Sequence, residues 1–306
     1  MALPDISIIV PNWNTRELLQ DALDSIEATR GALAVETVVV DNASTDGSTE
    51  MVRGRGDGVR LVSNPTNLGF ARAANLGAAS TSGPYLLFLN SDARLMPGAL
   101  DALGAVAAAQ ARAALVGAQL RNADGTFQAS YAAFPTLGSE FLILSGIGRL
   151  LYGPHYPSYG PDDRTGPRTV DWVGGACLLV RRTAFAAVGG FDEGYFMYAE
   201  EVDLCARLRS AGWETWYQPA ATVVHLGRAS TRHRPTTSEA ALYRSRVRFF
   251  RRHHGAWPAT LLAAQIYAFT LVKHVAHGTL RAVTRGHRGR PVVPLRDLAL
   301  LAETRH

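Results

Sequence analysis

The 306 residues are 47% apolar and 19% charged, a balance that buries a sizeable core and excludes a disordered chain. The length suits one large α/β domain with an appendage, and two cysteines in apolar runs, Cys177 and Cys205, exclude a disulfide framework or a cysteine zinc site. The net charge of +5 is uneven, with 15 Lys+Arg against 3 Asp+Glu from His225 onward and 16 against 23 in residues 1–224, so a basic tail follows an acidic body and points to an anionic surface. Almost all of that basicity is arginine, Lys273 being the only lysine, in an alanine-rich chain. Such a bias follows genome composition, and nucleic acid is not an expected partner. The start MALPDISIIV lacks a basic leader segment, which makes a reducing cytoplasmic setting the expectation.

Ile6 to Val10 is a short apolar run closed by Pro11, the pattern of a buried parallel strand. Asn14 or Thr15 can cap the helix that follows, with Leu18, Leu19, Ala22, Leu23 and Ile26 as its buried stripe. Val35 to Val40 is the second strand. Strand, helix, strand in this order requires a right-handed crossover and a parallel sheet, whose ligands bind at the carboxyl ends of the strands. Asp41 stands at such an end, either as a turn residue ahead of Asp46, Gly47 and Ser48 or as a carboxylate facing a ligand. Pro11, Asn12 and Trp13 end the neighbouring strand. Val59 to Val62 is a third strand, after which Asn67 and Gly69 lead into a helix. Its first N–H groups, with Arg72 one turn in, suit a pyrophosphate; the same residues also make an ordinary loop-to-helix junction. Tyr85 to Leu89 then delivers Asn90, Ser91 and Asp92 to the edge that holds Asp41.

Pro97 to Ala109 reads as a helix, Ala114 to Leu120 as a strand, and Asn122, Ala123, Asp124 and Gly125 as a hairpin turn. From Phe134 to Arg168 the periodicity fails among Pro135, Pro154, Pro157, Pro161 and Pro167, and a mobile loop over the site is expected. Trp172, Gly174 and Gly175 precede a strand at Ala176 to Val180. Glycines let backbone approach a sugar closely, and Trp172 either stacks on an acceptor or belongs to the core. The stretch YAEEVDLCARLRSAGW, Tyr198 to Trp213, sets Glu200, Glu201 and Asp203 at the start of an amphipathic helix. Leu204 and Leu208 face inward, Arg207 and Arg209 face water or an anion, and Gly212 ends it. The three carboxylates either complement the helix dipole or do chemistry. Positions 201 and 203 lie about 200° apart around the helix, so one points to a cleft and the other to solvent or Arg207. Glu214 to Tyr217 and Thr222 to Leu226 are the last two strands and carry His225.

In the tail, Ala240 to His254 has Tyr243, Val247 and Phe250 at helical spacing among Arg244, Arg246, Arg248, Arg251 and Arg252. Pro258 to Val272 is an apolar run broken by Gln265, about 22 Å of helix against a hydrocarbon core of about 30 Å. That is short for a span, so an interfacial helix pair on an anionic membrane is expected; packing within the protein or a homodimer through these helices is the alternative.

SIIVPNWN (Ser7 to Asn14), VVVDNASTDGS (Val38 to Ser48), NLGFARAAN (Asn67 to Asn75), LLFLNSD (Leu86 to Asp92), GGACLLVRR (Gly174 to Arg182) and the acidic helix occur in this order. The series resembles family 2 glycosyltransferases of the GT-A fold, close to the rhamnosyltransferase-like branch, across roughly residues 5 to 230. The resemblance implies an α/β, Rossmann-like domain over residues 1–230, with a mostly parallel sheet and flanking helices. Residues 1–120 form its nucleotide-binding half and 121–230, with the 134–168 loop, its acceptor half; a helical, membrane-associated tail occupies 231–306. It implies an inverting transfer from a nucleotide-sugar donor, dTDP-L-rhamnose or a UDP-sugar, to a hydroxyl of a lipid-linked or cell-envelope glycan. The same resemblance assigns the donor to Pro11, Asn12, Trp13, Asp41, Asn67, Gly69, Arg72, Asn90, Ser91 and Asp92, and the acceptor to Trp172, Gly174 and Gly175. Family members commonly carry Asp-x-Asp where this chain has Asn90 and Asp92, which leaves Asp92, with His225, to hold Mg²⁺ or Mn²⁺. Glu201 stands where the family has its catalytic Asp, beside Glu200 and with Asp203 in reserve. Two other classes compete: nucleotidyl transfer lacks a Gly-rich activating loop with a lysine here, and a non-catalytic glycan binder has no use for the clustered acids.

Overall fold

The computed structural model describes residues 4–160, 166–227, 235–283 and 292–299, without the side chains of 235, 236, 277–283 and 299. The first third alternates strand and helix: β1 (Ile6–Asn12), α1 (Arg16–Thr29), β2 (Val35–Asp41), α2 (Ser48–Arg53), β3 (Arg60–Ser63), α3 (Phe70–Ala79) and β4 (Tyr85–Leu89). Next come β5 (Ala93–Leu95), α4 (Ala99–Ala109), β6 (Ala113–Arg121), β7 (Phe127–Gln128), β8 (Tyr131–Ala132), α5 (Leu137–Ser145) and α6 (Ile147–Tyr152). Then follow β9 (Arg168–Val170), β10 (Trp172–Val173), β11 (Cys177–Arg181), α7 (Arg182–Ala187), α8 (Glu200–Ser210) and β12 (Glu214–His225), and the described chain closes with α9 (Pro235–His254), α10 (Ala256–Val283) and α11 (Leu295–Ala299).

Two compact units result: residues 1–134, 158–196 and 200–230, and residues 135–157, 197–199 and 231–306. In the first, the main sheet runs β3-β2-β1-β4-β11-β6-β12-β5. β1, β2, β3 and β4 are mutually parallel, β12 is parallel to β6, and β11 runs against both its neighbours. The strands are apolar on both faces because helices cover both. Val10, Val39, Leu87 and Leu179 point into one layer with Leu19, Leu23 and Leu103 of α1 and α4. Ile9, Val38, Phe88 and Leu178 point into the other with α3, Phe185 and Leu204. Phe191 meets Phe88 and Phe185 edge to face, and Phe88 lies tilted against Phe185, with centroids 4.9–5.5 Å apart. This is the α/β, mostly parallel architecture that the sequence leads one to expect.

Several local expectations are corrected. Thr15 sits at the N-cap of α1 without a side-chain cap bond; Asp46 Oδ2 accepts from the Arg16 N–H at 2.8 Å instead. The two final strands are one, β12, whose register with β6 slips between Gln218 and Thr222, so Pro219 occupies an irregularity rather than an end. The stretch expected to be an irregular mobile loop carries α5 and α6. Thr136 and Ser139 form a reciprocal capping box at the start of α5, and Pro135, Pro154 and Pro157 bracket these helices without interrupting them; Pro161 lies outside the described residues.

In the second unit, α10 packs on α9 and α5. Ala259, Leu262, Ile266 and Thr270 form its buried stripe, while Trp257, Tyr267, Val272 and Val275 are exposed. Buried Glu140 of α5 is paired with Arg246 of α9 at 2.9 Å. Ala256–Ala276, with a mean hydropathy of 1.3, is long and apolar enough to cross a membrane by length and composition. This corrects the length expected from the apolar run alone, because the helix continues on both sides of it.

Candidate active site

The carboxyl ends of β1, β2 and β4 meet in one hydrogen-bonded network. Asn12 Nδ2 donates to Asp41 Oδ1 at 2.8 Å and to Ser44 Oγ at 3.1 Å, and the Ser44 N–H donates to Asp41 Oδ2 at 2.9 Å. Thr15 Oγ1 donates to Asn12 Oδ1 at 2.6 Å and meets Ser91 Oγ at 2.7 Å. Asp41 is 1% exposed. Both its oxygens are anchored, and each carboxylate oxygen keeps a second lone pair. Pro11 and Trp13 beside it stay partly exposed. Thr15 and Ser44 belong to this network, and sequence reasoning missed their part in it; nothing but a small hydroxyl near a strand end marks them in the sequence.

β4 hands over to a tight turn in which the Ala93 N–H donates to the Asn90 carbonyl at 3.0 Å. Asp92, 9% exposed, then faces β12: its Oδ1 lies 3.3 Å from His225 Nε2, and Asn90 Nδ2 reaches the same nitrogen at 3.3 Å. The Leu226 N–H bonds the Asp92 carbonyl at 3.0 Å, locking the turn to the strand end. Gln128, another residue that sequence reasoning missed, holds the far side of the ring, its Oε1 2.7 Å from His225 Nδ1.

The Asn90 N–H also donates to the Ala176 carbonyl at 3.0 Å, which sets Gly175 beside this turn. Glu201 lies over Gly175: a Cβ there would sit 3.7 Å from its carboxyl carbon, an ordinary contact, so the glycine leaves open space around that group. Gly174 is held by a bond from its N–H to the Ser130 carbonyl at 2.8 Å. Burial pushes the Glu201 carboxyl up to about 7, even though the side chain keeps a partly open edge. Glu200 is driven well above the usual range, first by burial and then by the charge of Glu201, and its Oε2 is buried with no hydrogen-bond partner. Tyr198 and Ala199, just ahead of α8, adopt φ values of 71° and 63°, a left-handed conformation that costs about 1–3 kcal/mol per non-glycine residue.

Not every expected residue joins this arrangement. Asp203 is fully buried and paired with Arg207 at 2.7 Å, and Arg207 also donates to the Val188 carbonyl at 2.7 Å. Asp203 thus points to Arg207, as the offset of about 200° from Glu201 allows, which removes it as a reserve base, and the anion that Arg207 meets is this carboxylate. At α3, the first helical N–H, of Phe70, donates to the Phe196 carbonyl at 2.8 Å; the Gly69 N–H is taken by Asn67 Oδ1, and Arg72 pairs with Glu193 at 3.5 Å. The Gly69 and Phe70 N–H groups of this helix start are thus taken within the fold, and Arg72 is half-exposed beside Glu193. Trp172 donates from Nε1 to the Ala133 carbonyl at 2.8 Å and packs against the apolar layer, as a core aromatic does. A surface hollow of about 610 Å³ lined by Glu36, Asp57 and Arg60 opens at the amino ends of β2 and β3, the edge opposite this site.

Residues 7–188 match the sequence profile of glycosyl transferase family 2. The chain belongs to that family. It is also 38% identical over 246 residues to an N-acetylglucosaminyl-diphospho-decaprenol L-rhamnosyltransferase of Mycobacterium tuberculosis, covering 74% of this chain and 78% of that one. Among solved structures, this family 2 glycosyltransferase is similar to the mannosyltransferase PcManGT from Pyrobaculum calidifontis in complex with GDP-Man and Mn²⁺. The TM-score is 0.56 at 18% identity, covering 99% and 80% of the two chains. GalNAc-T7 with UDP, GalNAc and Mn²⁺ gives the same TM-score at 15% identity, covering 73% of this chain and 43% of that one. These likenesses give the family 2 glycosyltransferase its GT-A fold.

Among the described residues no group of three or more His, Cys, Asp or Glu side chains is arranged to hold a metal ion. Asp92 and His225 nevertheless offer an oxygen and a nitrogen facing one another. Two such ligands suit a cation that takes its remaining ligands from a diphosphate and water, and an imidazole among them favours Mn²⁺ over Mg²⁺.

Proposed function

We propose that this chain is an inverting glycosyltransferase that moves L-rhamnose from dTDP-L-rhamnose to a hydroxyl of a lipid-linked or cell-envelope glycan. The observation that carries the reading is the Asn90 to Ala176 hydrogen bond of 3.0 Å, which puts the Asn90–Asp92 turn and Gly175, with Glu201 over it, on one edge of the sheet. Asp41, with Asn12, Pro11 and Trp13, receives the nucleoside. Asn90 and Ser91 bond the ribose or phosphate oxygens. Asp92 and His225 would hold a divalent cation, whose chemistry there would be to neutralise charge on the leaving nucleoside diphosphate. Glu201 takes the acceptor hydroxyl's proton as the new bond forms, its pKa of about 7 being matched to neutral operation. Burial, and then the charge of Glu201, favours the uncharged form of Glu200 beside it. Gly174 and Gly175 line the acceptor side.

The lipid-linked acceptor is supported by the name of the mycobacterial relative. α10 supports a peripheral position at the inner face of the cell membrane: its exposed face is apolar, and its other face packs on α9, which carries Arg251, Arg252, His253 and His254 in its last turn. A helix paired in this way lies in the interface more readily than across it. A UDP-sugar is the second reading of the donor. Turnover of dTDP-L-rhamnose, UDP-sugars and GDP-mannose with Mn²⁺ present tests the proposal; preference for any donor over dTDP-L-rhamnose refutes the sugar assignment.

A further inference from the structure

The hairpin that joins β6 to β7 reads in the sequence as a plain turn, yet its side chains form a hydrogen-bond chain with one direction. Asp124 is exposed, and bonds from Thr126, chiefly from its side chain, hold its carboxyl below the usual range, so it is an ionised acceptor. The Thr126 hydroxyl therefore donates to Asp124 Oδ1, at 2.6 Å. That leaves the Thr126 oxygen to accept from Asn122 Nδ2 at 2.9 Å, which turns Asn122 Oδ1 toward Gln128. Gln128 Nε2 then donates to Asn122 Oδ1 at 2.9 Å and to the His225 carbonyl at 3.1 Å. With both amide protons committed, the atom of Gln128 left facing the ring is the acceptor Oε1, 2.7 Å from His225 Nδ1.

We infer that Gln128 is a positioning residue which, through the chain begun at Asp124, directs the proton of the His225 imidazole to Nδ1 and aims the Nε2 lone pair at the space between Asp92 and Asn90. In that tautomer Nε2 carries no proton of its own, and its lone pair meets Asp92 Oδ1 and Asn90 Nδ2, each at 3.3 Å. Two electron-rich atoms held face to face by groups behind them are a seat for a cation. Free imidazole can place its proton on either nitrogen, and the partner of one nitrogen decides which. The inference rests on the cation reading above for its purpose, not for its geometry.

The test uses the full chain carrying ¹⁵N-labelled histidine at mildly alkaline pH, with the His225 ring assigned by loss of its signals in His225→Ala. Proton-detected ¹⁵N spectra are expected to show a protonated Nδ1 and a bare Nε2 in the wild type. In Gln128→Leu a substantial Nε2–H population is expected. Mn²⁺ affinity, read by electron paramagnetic resonance in the presence of dTDP, should fall about 10- to 100-fold in that variant. Gln128→Glu retains the acceptor and should restore the Nδ1–H form and most of the affinity. Asp124→Ala, at an exposed position where folding is not at stake, should move the tautomer ratio the same way as Gln128→Leu. An Nε2–H ring in the wild type, or a ratio unchanged in both Gln128→Leu and Asp124→Ala, overturns the inference. Equal Mn²⁺ affinity in wild type and His225→Ala overturns the cation reading instead, and the spectra still decide the tautomer.

Discussion

Replacing Glu201 with Gln keeps the shape of the side chain and removes its charge, and it should affect rate and stability in opposite directions. A carboxyl held at about 7 in the fold against an ordinary 4.5 disfavours its charged form by about 3 kcal/mol at most. Between those values the folded chain binds more proton than the unfolded one. Stability from this group therefore falls as pH rises from about 4.5 to 7, and the full cost persists above. A neutral amide at this position carries no such cost, so at pH 8 Glu201→Gln should melt higher, by on the order of 5 °C, with the gain vanishing near pH 4. In the same variant kcat should drop by about 10²-fold or more while donor KM changes little, because only the base is lost. In the wild type, kcat should rise with pH up to about 7 and then level. Paired measurements of kcat against pH and of Tm at pH 4 and 8 test this. A near-normal rate in Glu201→Gln, or a rate independent of pH between 5.5 and 8, refutes the assignment of the base.

Chelation by EDTA should abolish turnover and Asp92→Asn should lose it, with Mn²⁺ restoring the chelated wild type but not the variant; full activity in EDTA would contradict the role of Asp92 and His225. Arg207→Leu should cost more than about 1 kcal/mol in urea unfolding, because it removes the charged hydrogen-bond partner 2.7 Å from fully buried Asp203; an unchanged unfolding midpoint would contradict a stabilising role for the pair. Gly69→Ala should lower Tm by several degrees, since its Cβ would sit 2.3 Å from the Phe196 carbonyl oxygen at a φ of +81°. A double change of exposed Trp257 and Val272 to serine should weaken flotation with anionic liposomes, and unchanged flotation would remove α10 from the membrane contact.

The central strands were legible because β1, β2 and β4 each carry a run of three or more apolar residues buried on both faces, VVV in β2 and LLFL in β4 among them. The acidic helix and the turn after β4 were singled out by the resemblance of their residues to family motifs, since carboxylates at a helix start also fit the helix dipole alone. What escaped depends on partners distant in sequence. Nothing near Arg16 says that Asp46 caps its helix, and nothing near Gly69 says that Phe196 will close it. Gln128 has no pattern at all; its part follows from a hairpin that brings it to His225, 97 positions away. The helices α5 and α6 were hidden by prolines, which forbid a helix only when they fall inside it.

The most direct test of the whole account is the anomeric configuration of the product. With purified full chain, Mn²⁺, dTDP-L-rhamnose and a lipid-linked glycan acceptor, NMR of the transferred sugar reads whether the acceptor attacked in a single displacement assisted by Glu201. The account predicts a glycosidic bond opposite in configuration to that of the donor, formed by wild type and lost at least 10²-fold in Glu201→Gln. A product with the donor's configuration retained would contradict it.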